Sequence, residues 1–136
     1  MDIITLARQL GVSMQNSDIY LNFKVSEQNI QSDENLQEAI GQFDEKKIEI
    51  SNEIMKKKLD QKKLDKLNIE VSDLYVKINE NKHMKNYNKA KLELQITLQK
   101  INLILMKAAE GEDPLTISVD EVPSGCGGNC GGCGGC

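Results

Sequence analysis

Four cysteines near the C-terminus are the residues of this sequence whose type and spacing point to chemistry. They are Cys126, Cys130, Cys133 and Cys136, and no other cysteine occurs among the 136 residues. The remaining positions of this segment are six glycines and one asparagine. Because glycine buries almost no apolar area and loses the most backbone entropy on ordering, we expect a tail that does not fold by itself. Four thiols so close together indicate ligands for a metal.

The spacing of these cysteines is compatible with more than one metal. Thiolates prefer Zn²⁺, Cu(I) or iron–sulfur clusters. The first three have the C-x3-C-x2-C spacing of radical-SAM enzymes, and the last three have the C-x2-C-x2-C spacing of a bacterial ferredoxin. The chain is too short for a radical-SAM barrel. We favour an iron–sulfur cluster of the [4Fe–4S] type, held by three or four of these cysteines, with or without help from a second chain.

Three other interpretations of the tail stay open. Zinc also accepts four thiolates in a closed tetrahedral site, as in a zinc-binding tail or a metal carrier, although structural zinc sites usually separate their two cysteine pairs further. A redox or disulfide tail is the second alternative. The third is the precursor of a modified peptide, because runs of glycine and cysteine also resemble the heterocycle-forming segments of some ribosomal peptides.

Composition and charge narrow the class of protein. The net charge of −4 argues against a general nucleic-acid binder. No positively charged start followed by an apolar run is present, and no apolar stretch is long enough to cross a bilayer. We therefore expect a cytoplasmic protein without membrane association. In a reducing cytosol, cysteines at short spacing are more often metal-binding or redox-active than disulfide-bonded.

Apolar residues recur at helical spacing and predict an all-α fold. The first helix covers residues 2–16, and a second short helix follows Ser17. From Ser32 to Asn79 there is no proline, so the pattern permits one long helix of about 48 residues. Two apolar seams lie along it, out of phase with each other: Leu36, Ile40, Phe43, Ile50 and Ile54, and then Leu64, Leu67, Val71, Leu74 and Ile78. Between them, the lysine-rich run Met55–Lys66 is compatible with a continuous helix or with a turn. The absence of glycine and proline from this run favours the helix.

A last helix is predicted over residues 82–108, with Asn81 as its cap and Gly111 as its stop. The sequence pattern of residues 115–122 alternates between apolar and polar side chains, and it predicts a short strand if this segment pairs with another segment. The predicted domains are a helical domain at 1–108, an acidic linker at 109–125 and a metal-binding tail at 126–136. The apolar seams of the predicted helices are long, and the sequence contains few aromatic residues. We therefore predict a helical bundle that forms a coiled-coil-like dimer and carries a flexible C-terminal tail.

Two segments of the predicted helices have a recognisable residue pattern. The first contains Leu6–Gly11 and Ser17–Tyr20, followed by Phe23. The second, in the last helix, has the order Met84, Tyr87, Ala90, Leu94, Leu98 and Ile101-Asn102. They resemble the first part and the last helix of the YlbF/YmcA family of small helical regulators. The tail rich in cysteine and glycine is similar to the one carried by the YlbF branch. The resemblance covers roughly residues 3 to 108, in order and spacing.

The resemblance implies a regulator or adaptor and no enzyme. Members of this family pair with themselves or with each other. The YlbF branch is implicated, with YmcA and YaaT, in a complex that binds iron–sulfur clusters. That complex is linked to RNase Y, to messenger-RNA processing, and to competence, sporulation and biofilm formation. The resemblance thus implies that the four tail cysteines bind the cofactor and that the helices bind protein partners.

Two further features have simpler interpretations than a functional site. His83 is the only histidine and is expected to be a polar residue at a helix N-terminus, and not a metal ligand. Six lysines crowd the run described above, namely Lys56, Lys57, Lys58, Lys62, Lys63 and Lys66. Lysine runs on helices are usually solvated, and this one has no aromatic residue for stacking on bases. Contact with an acidic partner stays open, and direct RNA contact is not expected.

Overall fold

The computed structural model describes residues 1–120, and the four cysteines lie outside them. The described chain is all-α, as predicted, and contains no strand. Its five helices are α1 (Ile3–Gln15), α2 (Asp18–Ser32), α3 (Glu34–Ile54), α4 (Gln61–Glu80) and α5 (Lys82–Ala109). The predicted first and last helices are confirmed to within one residue at each end, and the second helix begins after Ser17 as predicted.

Every helix begins after a short polar side chain that accepts backbone N–H groups of the first turn. The capping residues are Asp2, Ser17, Asp33, Asp60 and Asn81. The predicted caps Ser17 and Asn81 are confirmed. The start predicted at Ser32 is one residue early, because α2 continues through Ser32 and Asp33 Oδ1 accepts from the Leu36 N–H at 3.0 Å. Such caps satisfy donors that have no partner within the helix.

The favoured prediction of one long helix from Ser32 to Asn79 is wrong, and the alternative, a turn within Met55–Lys66, is confirmed. Helix α3 ends at Ile54, residues 55–60 form a turn, and α4 begins at Gln61. The chain reverses without glycine or proline because side chains satisfy the backbone on both sides of the turn. This reversal also explains why the two apolar seams of this segment are out of phase in the sequence. They belong to two separate helices.

The described chain divides into two compact units. Residues 24–88 form one unit, and residues 1–23 together with 89–120 form the other. Helices α2 and α5 each contribute residues to both units. In the first unit, a core cluster contains Leu36, Ala39 and Ile78, and the partly buried side chains Ile30, Ile40, Phe43 and Met84 pack against it. Residues from α2, α3, α4 and α5 therefore meet in one apolar cluster.

Helices α3 and α4 form an antiparallel hairpin joined by side-chain contacts along its length. Near its middle, Lys46 Nζ lies 2.8 Å from Glu70 Oε2. The Glu70 carboxylate raises the pKa of the Lys46 ammonium group above its ordinary value, and Lys46 lowers the pKa of Glu70. One turn closer to the start of α3, the centroids of the Phe43 and Tyr75 rings lie 6.3 Å apart. These contacts fix the register of the two helices.

A hydrogen bond connects two helix junctions at the open end of this hairpin. Asn81 Nδ2 donates to Asp33 Oδ2 at 3.0 Å, although the two residues are 48 positions apart. Asp33 caps α3, and the side-chain oxygen Oδ1 of Asn81 accepts from the N–H groups of His83 and Met84 at the start of α5. The Asn81 amide holds the pKa of the Asp33 carboxyl below its usual value.

We expect Asn81→Ala to lower the free energy of unfolding by about 1–2 kcal/mol, the usual cost of a lost N-cap. The exposed Asn86 of α5 has no such role, so Asn86→Ala serves as the control and is expected to change stability by less than about 0.5 kcal/mol. Urea denaturation followed by circular dichroism measures both. A double-mutant cycle with Asp33→Ala should show coupling, and strictly additive effects would contradict the contact between the two junctions.

Candidate functional site

The predicted ligands Cys126, Cys130, Cys133 and Cys136 lie outside the described residues, so the structure describes only the segment that leads to them. Helix α5 ends in a Schellman motif. Gly111 has a φ of +98°, the Glu112 N–H donates to the Lys107 carbonyl at 3.1 Å, and the Gly111 N–H donates to the Ala108 carbonyl at 3.1 Å. The predicted stop at Gly111 is confirmed. A side chain at this position would be strained.

The segment after α5 folds back beside the helix. Lys107 Nζ forms an ion pair with Glu112 Oε1 at 2.9 Å, and a turn at Asp113 follows, in which the Thr116 N–H donates to the Asp113 carbonyl at 3.1 Å. A shallow groove is lined by Leu103, Lys107, Glu112, Thr116, Ile117 and Ser118. No strand forms over residues 115–120, the described part of the predicted strand, because this segment packs against a helix and not against another extended segment.

No group of three or more histidine, cysteine, aspartate or glutamate side chains within residues 1–120 is placed to hold a metal ion. His83 lies half-buried at the first turn of α5, where its backbone N–H donates to Asn81 Oδ1 at 2.8 Å. Its position at a helix N-terminus agrees with the prediction. The charge of His83 also contributes to the lowered pKa of Asp33.

The six lysines lie at the hairpin tip, which we define as residues 54–66. A carboxylate that the sequence analysis missed organises it. Glu53 is 2% exposed, and its Oε2 lies 2.8 Å from Lys56 Nζ and 3.5 Å from Lys63 Nζ. Its Oε1 accepts from the Asp60 N–H at 3.1 Å. Glu53 thus joins the last turn of α3 to the start of α4.

Glu53 occupies the position that the predicted seam assigned to Ile54. The buried face of α3 follows the spacing of Leu36, Ala39, Phe43, Lys46, Ile50 and Glu53, and Ile54 is 60% exposed. The available signal was weak: an acidic residue three positions before a run of lysines. Hydrogen bonds from Lys56 and from the Asp60 N–H lower the pKa of Glu53, and the same contact raises the pKa of Lys56.

Apolar side chains that helical spacing assigned to buried faces are widely exposed in the unit formed by residues 1–23 and 89–120. Helix α1 has no buried residue, and its Ile3 is 80% exposed. The exposed apolar residues of this helix also include Ile4, Leu6, Leu10 and Val12. Helix α5 buries Ala90 but exposes Leu98 and Leu105 from the same seam. Ile3, Leu6 and Leu10 lie on one face of α1, and an exposed apolar face is typical of protein interfaces.

In a comparison with protein-family models, residues 3–109 match the family described as control of competence regulator ComK, YlbF/YmcA. The chain belongs to the YlbF/YmcA family. Its resemblance to that family is thereby confirmed over the helical part of the sequence. Neither the curated proteins nor the solved structures contain a match. The YlbF/YmcA assignment describes a regulator, which agrees with a regulatory role for this chain.

The described helices of this YlbF/YmcA protein include none that is both long and apolar enough to cross a membrane. The matched range begins at the first residue of α1 and ends at the last residue of α5. The family match therefore includes all five helices and the lysine-rich tip. It does not extend to the four cysteines.

The Glu53 contacts predict an acid-dependent stability difference. A carboxyl with a lowered pKa stabilises the fold at pH values above its ordinary pKa of 4.5. This contribution disappears as the pH falls through the lowered pKa. We expect Glu53→Gln to lower Tm by several degrees at pH 7 and to match the wild type in strong acid. Glu53→Ala should lower Tm further, because it also leaves the Asp60 N–H without its acceptor.

The exposed Glu49 of α3, one turn before Glu53, provides the matched control. Glu49→Gln removes the same charge from the same helix, and Glu49 forms a long ion pair, at 3.9 Å to Lys46 Nζ. Its Tm should stay near the wild-type value from neutral to acidic pH. Thermal unfolding followed by circular dichroism measures all three variants. Equal Tm values for Glu53→Gln and Glu49→Gln at pH 7 would contradict the role of the buried carboxylate.

Proposed function

We propose that this chain is a non-enzymatic adaptor of the YlbF type, whose helical faces bind protein subunits and whose tail cysteines ligate an iron–sulfur cluster. The observation that carries the first half is the exposed apolar surface of α1 and α5. The buried apolar core of the described chain consists of Leu36, Ala39, Leu67, Ile78 and Ala90. Five such residues are few for this length, and burial of more apolar surface against a partner would stabilise the fold.

The position of the exposed residues favours self-association or pairing with a related subunit. Leu6 and Leu10 of α1 lie one turn apart, and Leu98 and Leu105 of α5 lie two turns apart, so each helix presents a stripe. Stripes at this spacing pack against other helices. A homo-oligomer, or a hetero-oligomer with YmcA-type and YaaT-type subunits, would cover them. We also propose that this adaptor regulates competence, which agrees with the family description. The proposal includes roles in sporulation, in biofilm formation and in RNA processing linked to RNase Y.

The donor set of the tail fits an iron–sulfur cluster. Cys126, Cys130, Cys133 and Cys136 supply four thiolates, the ligands that iron–sulfur clusters use, and zinc accepts the same set. A bound cluster would supply one-electron or oxygen-sensitive chemistry at the end of the chain. The Schellman motif at Gly111 and the Lys107–Glu112 ion pair direct the chain back along α5 before the tail begins.

We expect the full chain, purified without oxygen, to be brown and to show charge-transfer absorption and the Mössbauer doublets of a [4Fe–4S] cluster. Replacing all four cysteines by serine should abolish both signals. Asn129→Ser is the matched control, because it changes the tail but keeps every thiol. A colourless protein with stoichiometric zinc would contradict the cluster, and a loss of water in the intact mass would indicate a modified peptide.

The exposed stripe of α1 predicts that a charge placed on it disrupts association. A buried leucine contributes about 1.5–3 kcal/mol, so Leu6→Glu should raise the dissociation constant at least about tenfold. Gln9→Glu introduces the same charge at an exposed polar position of the same helix and should have little effect. Sedimentation equilibrium measures both. A wild-type chain that stays monomeric at every concentration, alone and with a related subunit, would contradict this proposal.

A further inference from the structure

The hairpin tip, residues 54–66, combines dense positive charge with exposed aliphatic side chains. It contains six lysines and two aspartates, whereas the whole chain has a net charge of −4. Met55 is 80% exposed, Ile54 is 60% exposed and Leu59 is 44% exposed. A solvated turn needs the charges but not the aliphatic groups, since exposing them to water costs free energy.

Three of the six lysines have no acidic partner within residues 1–120. Lys56 and Lys63 contact Glu53, and Lys66 Nζ lies 3.9 Å from Glu70 Oε1. The other three, Lys57, Lys58 and Lys62, form no ion pair within the described residues. Lys57 and Lys58 lie in the turn before α4, and Lys62 lies in the first turn of α4, which contains no acidic residue. The carboxylate of Asp60 caps this helix end, so the excess positive charge of the tip comes from its lysines, and it attracts anions.

We propose that the hairpin tip docks on the surface of an anionic lipid bilayer. The tip is convex, because it is the turn between two antiparallel helices, and a fluid bilayer surface accommodates a convex shape. Met55 and Leu59 enter the interfacial region, where their side chains leave water. The lysines stay at the level of the headgroups and neutralise anionic lipids. Glu53 holds the turn in the shape that presents both kinds of side chain.

The composition of the tip favours lipid over nucleic acid or an acidic protein segment. Its cations are all lysines, and it contains neither arginine nor an aromatic residue. Aromatic and arginine side chains stack on bases, and arginine also binds phosphate groups through two parallel hydrogen bonds. Lysine is a compact point charge that suits a diffuse anionic surface. Neither RNA nor a purely acidic peptide would cover Met55, which is the most exposed aliphatic side chain of the tip.

This inference goes beyond the proposed adaptor function and does not depend on it. The sequence predicted no membrane association because no segment can span a bilayer, and contact with the surface of a bilayer does not need such a segment. Each lysine near an anionic surface strengthens binding about fivefold, so three free lysines at one tip support reversible association that weakens with salt. Two tips in an oligomer would strengthen it further.

Co-sedimentation of the full chain with vesicles tests the proposal. We expect binding to vesicles of phosphatidylcholine mixed with phosphatidylglycerol and no binding to pure phosphatidylcholine. The variant K57Q/K58Q/K62Q should bind about 100-fold more weakly, and Met55→Ser about fivefold more weakly. The matched controls are K85Q/K89Q/K91Q, which removes three exposed lysines of α5, and Leu115→Ser, which removes an aliphatic residue that is 94% exposed. Both controls should bind as the wild type does.

Several results would overturn the proposal. These are a lack of binding to either vesicle at low salt, equal binding to both vesicles, and an equal loss in the two lysine variants. Unchanged binding by Met55→Ser would also overturn it, because the aliphatic groups would then have no role. If the tip lysines bind a single-stranded RNA oligonucleotide and the chain does not bind vesicles, the tip would be assigned to nucleic acid instead. Circular dichroism of each variant checks that the helices are retained.

Discussion

The carboxylate of Glu53 allows the chain to reverse between α3 and α4. It accepts from the Asp60 N–H and pairs with Lys56 and Lys63, so one buried side chain satisfies the end of one helix, the turn and the start of the next. A buried carboxylate without these partners would be costly. The reversal brings Asp33 next to Asn81 and allows the apolar faces of α3 and α4 to meet.

The surfaces of the two compact units are of different chemical kinds. Residues 24–88 bury an apolar cluster near the open end of the hairpin and expose lysines with aliphatic side chains at its tip. The unit formed by residues 1–23 and 89–120 instead exposes the apolar stripes of α1 and α5. Membership of the YlbF/YmcA family gives these stripes a regulatory context. Apolar stripes favour helical partners, whereas a basic tip favours an anionic surface.

Much of the fold is predictable because it depends on short-range interactions. Ser17 and Asn81 act as caps on N–H groups two or three residues away, and Gly111 ends α5 through its own positive φ. The sequence left the turn after Ile54 as an alternative and favoured a continuous helix, because the residues that stabilise the turn are separated by up to ten positions, from Glu53 to Lys63. Helix propensity of the lysine-rich run favours continuation, and the tertiary contacts of the hairpin override it.

The sequence by itself determined the all-α class, the family, and the four thiolates of the tail as the candidate ligands, since each depends on residue type and local spacing. The tertiary structure decided which apolar faces are covered and which stay exposed. Leu67 and Leu105 both lie on predicted seams, yet Leu67 is buried between packed helices and Leu105 is exposed. Periodicity shows that a face is apolar, but burial depends on distant residues that only the folded chain brings together.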